Sequence, residues 1–257
     1  MIKMSSIISK IQKQRVSDGK TIPIFSGCDS SSYTLILVLS NLGDFDSLEY
    51  VWWLKKETDL LKTKNIAVKA IAIGNRESGK KFCQYTRFSE ENLFIDSNAE
   101  LHQELRLYQG LNWNLAFFSA TQNAWLNLLL MCAGIGSKGT LKEVLRGYIG
   151  DKNAPSLFKE NESINIKPLP MIKGSLFNIA GKNYQRPFEL ATLRLQNMVE
   201  VLKNWQTYVP NDKYLTQRGG TFLFNKEGEL IYEYRDKGIL GFAENMSNPL
   251  TFLKTLT

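Results

Sequence analysis

Residues 39–56, LSNLGDFDSLEYVWWLKK, decide how this chain is read. They continue an apolar run, Leu35-Ile36-Leu37-Val38-Leu39, that closes at Gly43. A short apolar run bounded by turn residues is the signature of a buried strand. Beyond the glycine, Phe45, Leu48 and Trp52, then Val51, Leu54 and Leu61, recur at three- and four-residue steps, which predicts a helix from Asp46 to about Lys64. Asp46 followed three residues later by Glu49 has the form of a capping box, so Asp46 is the expected N-cap and Asp44 a turn residue. A helix start offers unpaired amides and a partial positive charge. Those features lower the pKa of a cysteine placed there and make it nucleophilic. In this chain the position carries aspartates. A carboxylate satisfies the same amides but has no two-electron sulfur chemistry.

Reading outward, IAVKAIAIG (66–74) is a second buried strand, ESGKKFCQYTRF (77–88) a short helix, and NLFIDS (92–97) a brief strand followed by a helix over 98–108. Strands alternating with helices predict an α/β unit with parallel pairing. Near the other end, GGTFLFNKEGELIYEYRDKG (219–238) reads as a β-hairpin, with strands at 221–224 and 230–234. A final helix over about 242–256 is expected, interrupted at Pro249. The first twenty residues read as an N-terminal arm or short helix, and 21–25 as a short strand.

The segment 110–187 looks inserted. Its first part is apolar and helical, and GTLKEVLRGYIGD (139–151) carries Thr140-x-x-Glu143 as a capping box and ends at Gly147 or Gly150. After a loop-rich stretch, a helix from Pro187 to about Trp205 has its proline in the first turn. The expectation is one domain over 1–257, enlarged by a helical insertion at about 110–205.

This order of elements resembles a thioredoxin-like fold with peroxiredoxin-type extensions. The chain is similar to the peroxiredoxin-like proteins of the alkyl hydroperoxide reductase and thiol-specific antioxidant branch, which includes prostamide synthase-like enzymes. The likeness rests on LILVLSNLGDFDSLEY, on FIDSNAELHQELRLYQG, and on GTLKEVLRGYIGD together with QRGGTFLFNKEGELIYEYRDKG. It departs at the turn, where the family's reactive cysteines would fall at Asp44 and Asp46, and no family cysteine can be carried over. The resemblance also implies that Arg218, in the loop entering the hairpin, faces Asp44 or Asp46.

Composition excludes other classes. With 257 residues, 43% apolar and 22% charged, the chain is that of an ordinary globular protein. Its longest apolar stretch, 124–135, is too short to span a bilayer, which needs about 20 residues. The N-terminus lacks a signal-peptide core, so the expected location is cytoplasmic or an equivalent reducing compartment. The net charge of +7 is spread over short pairs such as Lys55-Lys56 and Lys80-Lys81, which predicts a solvated basic surface and no nucleic-acid face. Cys28, Cys83 and Cys132 lie far apart, form no CxxC, and share the chain with a single histidine, His102. That argues against a disulfide framework, a metal centre or a bound cofactor. His102 is expected at the surface or half-buried on its helix.

Two thiols, Cys83 and Cys28, remain as candidate relocated nucleophiles. Cys83 has Lys80, Lys81 and Arg87 nearby, Cys28 sits in a Ser- and Asp-rich loop where exposure is expected, and Cys132 among leucines is expected in the core. A further motif, GIGSKG, places Gly134, Gly136 and Gly139 in a G-x-G-x-x-G pattern opening a helix, but it lacks an evident preceding strand. Its simpler reading is a glycine-rich helix–helix connection, with a phosphate near Lys138 as the alternative.

The sequence thus favours a peroxiredoxin-like protein that has lost peroxidase activity and binds or scaffolds a protein partner, with the aromatics Phe45, Tyr50, Trp52 and Trp53 as a candidate surface. The alternatives are a thiol-dependent oxidoreductase using Cys83 or Cys28, and a nucleotide-binding protein using the 134–139 loop.

Overall fold

The computed structural model describes residues 8, 11–166, 170–182 and 184–256. The opening apolar run forms β3 (Tyr33–Asn41), which is buried from Thr34 onward. Leu35, Leu37 and Leu39 enter one hydrophobic cluster while Ile36 and Val38 enter another. Alternate side chains of a strand point to opposite faces, so this sheet is covered on both sides. Such a strand has no solvent side, which is why it reads as an unbroken apolar run.

The chain runs through β1 (Gln12–Arg15), β2 (Thr21–Pro23), β3, α1 (Phe45–Lys56), α2 (Thr58–Thr63), β4 (Ile66–Ile73), α3 (Arg76–Thr86), β5 (Leu93–Ile95) and α4 (Glu100–Glu104). Then follow α5 (Ala120–Cys132), α6 (Thr140–Ile149), β6 (Ser163–Ile164), β7 (Ile172–Lys173), α7 (Pro187–Lys203), α8 (Trp205–Tyr208), β8 (Gly220–Asn225) and β9 (Leu230–Arg235). One sheet has the order β2-β1-β5-β4-β3-β8-β9. Strands β3, β4 and β5 are parallel, and the β8–β9 hairpin adds to β3 antiparallel. This is an α/β, thioredoxin-like fold. Among the described residues, no helix is long and apolar enough to cross a membrane.

Several expectations need correction. Residues 12–15 form a strand and not an arm or helix, pairing with β2 and β5. Their sequence, QKQR, has no apolar alternation to signal it. The rest of the expected N-terminal arm, apart from Ile8, Ile11 and residues 16–20, lies outside the described residues. The helix expected to reach Lys64 breaks at Glu57 into α1 and α2. The helix expected over 98–108 shrinks to α4, flanked by left-handed backbone at Ala99 and Arg106. In place of a final helix there is only a 3-10 turn, Thr251–Thr255. Turns anchored by the Asn245 side chain, with Pro249 behind them, occupy its expected first half.

Helices α6 and α7 are tied to α1 by charge. Glu49 of α1 is 1% exposed, and its Oε2 accepts from Arg194 Nε of α7 at 2.8 Å. The same guanidinium donates to Glu143 of α6 at 2.7 Å. Glu143 also takes two bonds from Arg146, which reaches Asp151 and Gln185. The predicted capping box at Thr140 and Glu143 is therefore not formed. Gly139 is the N-cap and provides no side-chain bond, while Gly150 with φ 84° ends the helix.

Trp53 is 1% exposed, packs edge-on against Trp52 at 5.3 Å, and leaves its indole N–H without a partner. Trp53→Ala is expected to lose about 3–5 kcal/mol of stability through the cavity it opens. Trp53→Phe keeps most of the ring and drops the unpaired donor, so it should lose far less. Urea unfolding midpoints of the two variants check this.

Candidate functional site

The turn after β3 is shaped by close contacts. β3 shifts register against β4 between Leu39 and Asn41, so Ser40 is bulged out of the ladder. Bulges re-aim side chains at strand ends, and Ser40 Oγ donates to Asp44 Oδ2 at 2.7 Å. A Cβ at Gly43 would stand 2.4 Å from the Val209 side chain, so only glycine lets the turn approach this closely. His102, fully buried and not half-buried as expected, bonds the Leu39 carbonyl through Nε2 at 2.9 Å.

Asp44 takes the capping role predicted for Asp46, which lies inside the helix. Asp44 is the N-cap, and its Oδ1 accepts from the Asp46 amide at 3.0 Å. Asp46 is the second residue of the helix, 4% exposed, and its Oδ2 accepts from the Leu240 amide at 2.7 Å. Between them lies Arg218, 2% exposed, with Nη2 2.6 Å from Asp44 Oδ2 and Nη1 3.7 Å from Asp46 Oδ2. The guanidinium also donates to the carbonyls of Thr216 and Leu215. A Cβ at the next residue, Gly219, would meet the Val38 carbonyl oxygen at 2.2 Å, so the loop carrying Arg218 lies directly against β3.

A third carboxylate, Asp236, escaped the sequence reading. Its Oδ2 accepts from the Gly219 amide at 3.0 Å, and its own amide donates to the Gly219 carbonyl. Nothing local marks Asp236 in the sequence except its place just after the predicted hairpin. Burial raises its pKa to about 7, against the lowering effect of Arg218. Burial and the charge of Asp44 likewise push Asp46 well above the usual carboxylate range, although Arg218 opposes them. Two acids thus pair with one guanidinium, and a third, Asp236, feels its charge. The arrangement closes the start of α1.

The thiols fall differently from expectation. Cys28 is buried, not exposed, and Cys132, expected in the core, is exposed at the last residue of α5. Cys83 is buried, and desolvation lifts its thiol to about 12. Burial also raises the pKa of Cys28 and Cys132, and the charges of Asp44 and Asp46 add to the effect on Cys132. The aromatics proposed as a surface are mostly core: Tyr50 and Trp53 are buried, and Phe45 and Trp52 are half-buried.

The 134–139 loop follows a helix, α5, so the strand that a dinucleotide fingerprint requires is missing. Gly134, Gly136 and Gly139 all have positive φ. The loop spends its polar groups internally: Tyr108 donates to the Gly136 carbonyl, and Ser137 accepts from the Ile239 amide. It is a connection between α5 and α6 docked on the chain after β9.

A family model described as AhpC/TSA antioxidant enzyme matches residues 53–238, and the chain belongs to that family. The match begins just after the turn holding Asp44 and Asp46 and includes Arg218 and Asp236. Comparison with curated proteins and with solved structures gives no significant match.

Arg218→Met strands two buried carboxylates without their counter-ion, which is expected to destabilise the protein by about 3–5 kcal/mol. Arg218→Lys should also lose stability, because a point ammonium cannot span both acids and two carbonyls at once. Chemical denaturation of both variants tests this.

Proposed function

We propose that this chain is an AhpC/TSA-family protein that acts by binding a protein partner and not by thiol peroxidase chemistry. The observation that carries this reading is the closed charge arrangement at the start of α1. Asp44 holds the amide there and meets Arg218 at 2.6 Å, in the place where the resemblance puts a reactive cysteine. The three cysteines support it as well. Each has a raised pKa, which holds it as the thiol, and the thiolate is the form that attacks peroxide. We take residues 110–205 as a helical addition within one domain, and the cytoplasm or a similar reducing compartment as the setting in which three unpaired cysteines persist.

The added helices supply the surface for a partner. Leu141, Leu145, Tyr148 and Ile149 of α6 and Phe188 of α7 are all more than half exposed. Tyr148 and Phe188 line a largely apolar groove of about 340 Å³ between the two helices, together with Val144, Pro187 and Leu190. Contiguous exposed apolar side chains of this kind mark interaction sites.

Hydrogen-peroxide consumption with dithiothreitol as reductant is expected to be absent in the wild type and in Cys28→Ser, Cys83→Ser and Cys132→Ser. Turnover in the wild type that vanishes with one serine change would overturn the proposal and make that cysteine a relocated nucleophile.

A further inference from the structure

Two buried oxygens near α1 stand outside every pairing described above. Asp46 and Asp236 each satisfy Oδ2 with a backbone amide, from Leu240 and Gly219 respectively. The Oδ1 atoms of both are buried and have no hydrogen-bond partner. Both residues line the same small, partly open cavity of about 10 Å³, with Ser40, Ser47, Tyr50 and Phe242 around it. A buried acceptor without a donor costs roughly 1–3 kcal/mol, so two on one small space call for a donor between them. The volume suits a single water, which needs two to four polar partners. Among the described residues, no group of three or more His, Cys, Asp or Glu side chains is arranged to hold a metal ion.

We propose that Asp46 and Asp236 form a buried water-and-proton site, in which the two carboxyls share one proton drawn from solvent through a single water in this cavity. Charge balance supports it. Ionising Asp46 and Asp236 together would bury two negative charges beside Asp44 around the one guanidinium of Arg218. One bound proton reduces that imbalance and supplies the missing donor.

Asp236 provides the route to solvent. It lines the small cavity on one side and, on the other, an open groove of about 670 Å³ bordered by Arg106, Lys138 and Lys237. Asp46 lines the small cavity but not the groove. The site is faced from α1 by Asp44, Glu49 and Tyr50, from the loop before β8 by Arg218, and from β9 by Tyr232, Tyr234 and Arg235. Of these, Arg218 and the groove cations favour ionised carboxylates, whereas Asp44 and Glu49 favour the protonated form.

The consequence for pH has a definite sign. Both carboxyls have raised pKa values in the folded chain, with Asp236 at about 7. The folded protein therefore keeps a proton that the unfolded chain releases near pH 4. This contribution is fully present below about pH 4 and is lost as pH rises through about 7.

The test compares melting temperatures of the wild type and Asp236→Asn across this range. The amide keeps an acceptor for Gly219 and a permanent donor for the water. The variant should match the wild type at about pH 5 and melt several degrees higher at about pH 8. Infrared spectra of the wild type at about pH 5 should show the carbonyl stretch of a buried protonated carboxyl that fades as pH rises through about 7. Parallel melting profiles, or no such band, would overturn the proposal. Should Asp236→Asn fail to fold, the wild-type infrared titration decides alone.

Discussion

The buried guanidinium of Arg218 is the charge around which one end of the sheet is organised. A cation taken out of water is tolerated only where carboxylates and carbonyls surround it. Here those groups come from separate parts of the chain: Asp44 capping α1, Asp46 inside it, and the carbonyls of Leu215 and Thr216. Asp236 joins through the Gly219 backbone. The requirement to surround one charge thus brings the β3–α1 turn, the entry to β8 and the exit from β9 together. It also explains how a helix can begin with two acids so close in sequence. The helix field stabilises the first, and Arg218 stands between them.

Membership of the AhpC/TSA family describes the framework on which this charge arrangement is built. The parallel β3–β4–β5 unit and the β8–β9 hairpin are positioned so that a loop side chain meets a helix start. That geometry can hold a nucleophile or lock a helix end. Which of the two it does depends on the residues at the meeting point, and here they are an acid and a base already paired.

Much of the framework was legible in the sequence because parallel strands buried on both faces leave unmistakable apolar runs, as at residues 35–39 and 66–73. The hairpin was equally plain from its alternation and its Asn225–Gly228 turn. What was illegible depended on contacts distant in sequence. The cap moved from Asp46 to Asp44 because the helix begins two residues earlier than the capping pattern placed it. Burial of Cys28 and exposure of Cys132 follow from which face of each element meets a neighbour. Strand β1, all polar, exists through its backbone pairing. Asp236 and the partnership of Glu49 with Arg194 span long separations that no local pattern records, whereas the approach of Arg218 to Asp44 was inferable only through family likeness.

The chain of charges from Glu49 through Arg194 to Glu143 makes α6 and α7 answerable for the integrity of α1. Glu49 is almost wholly buried, so a change that removes Arg194 from α7 would leave a desolvated anion on α1 without its counter-ion. Damage about 145 residues away along the chain would then be felt at the helix that follows β3.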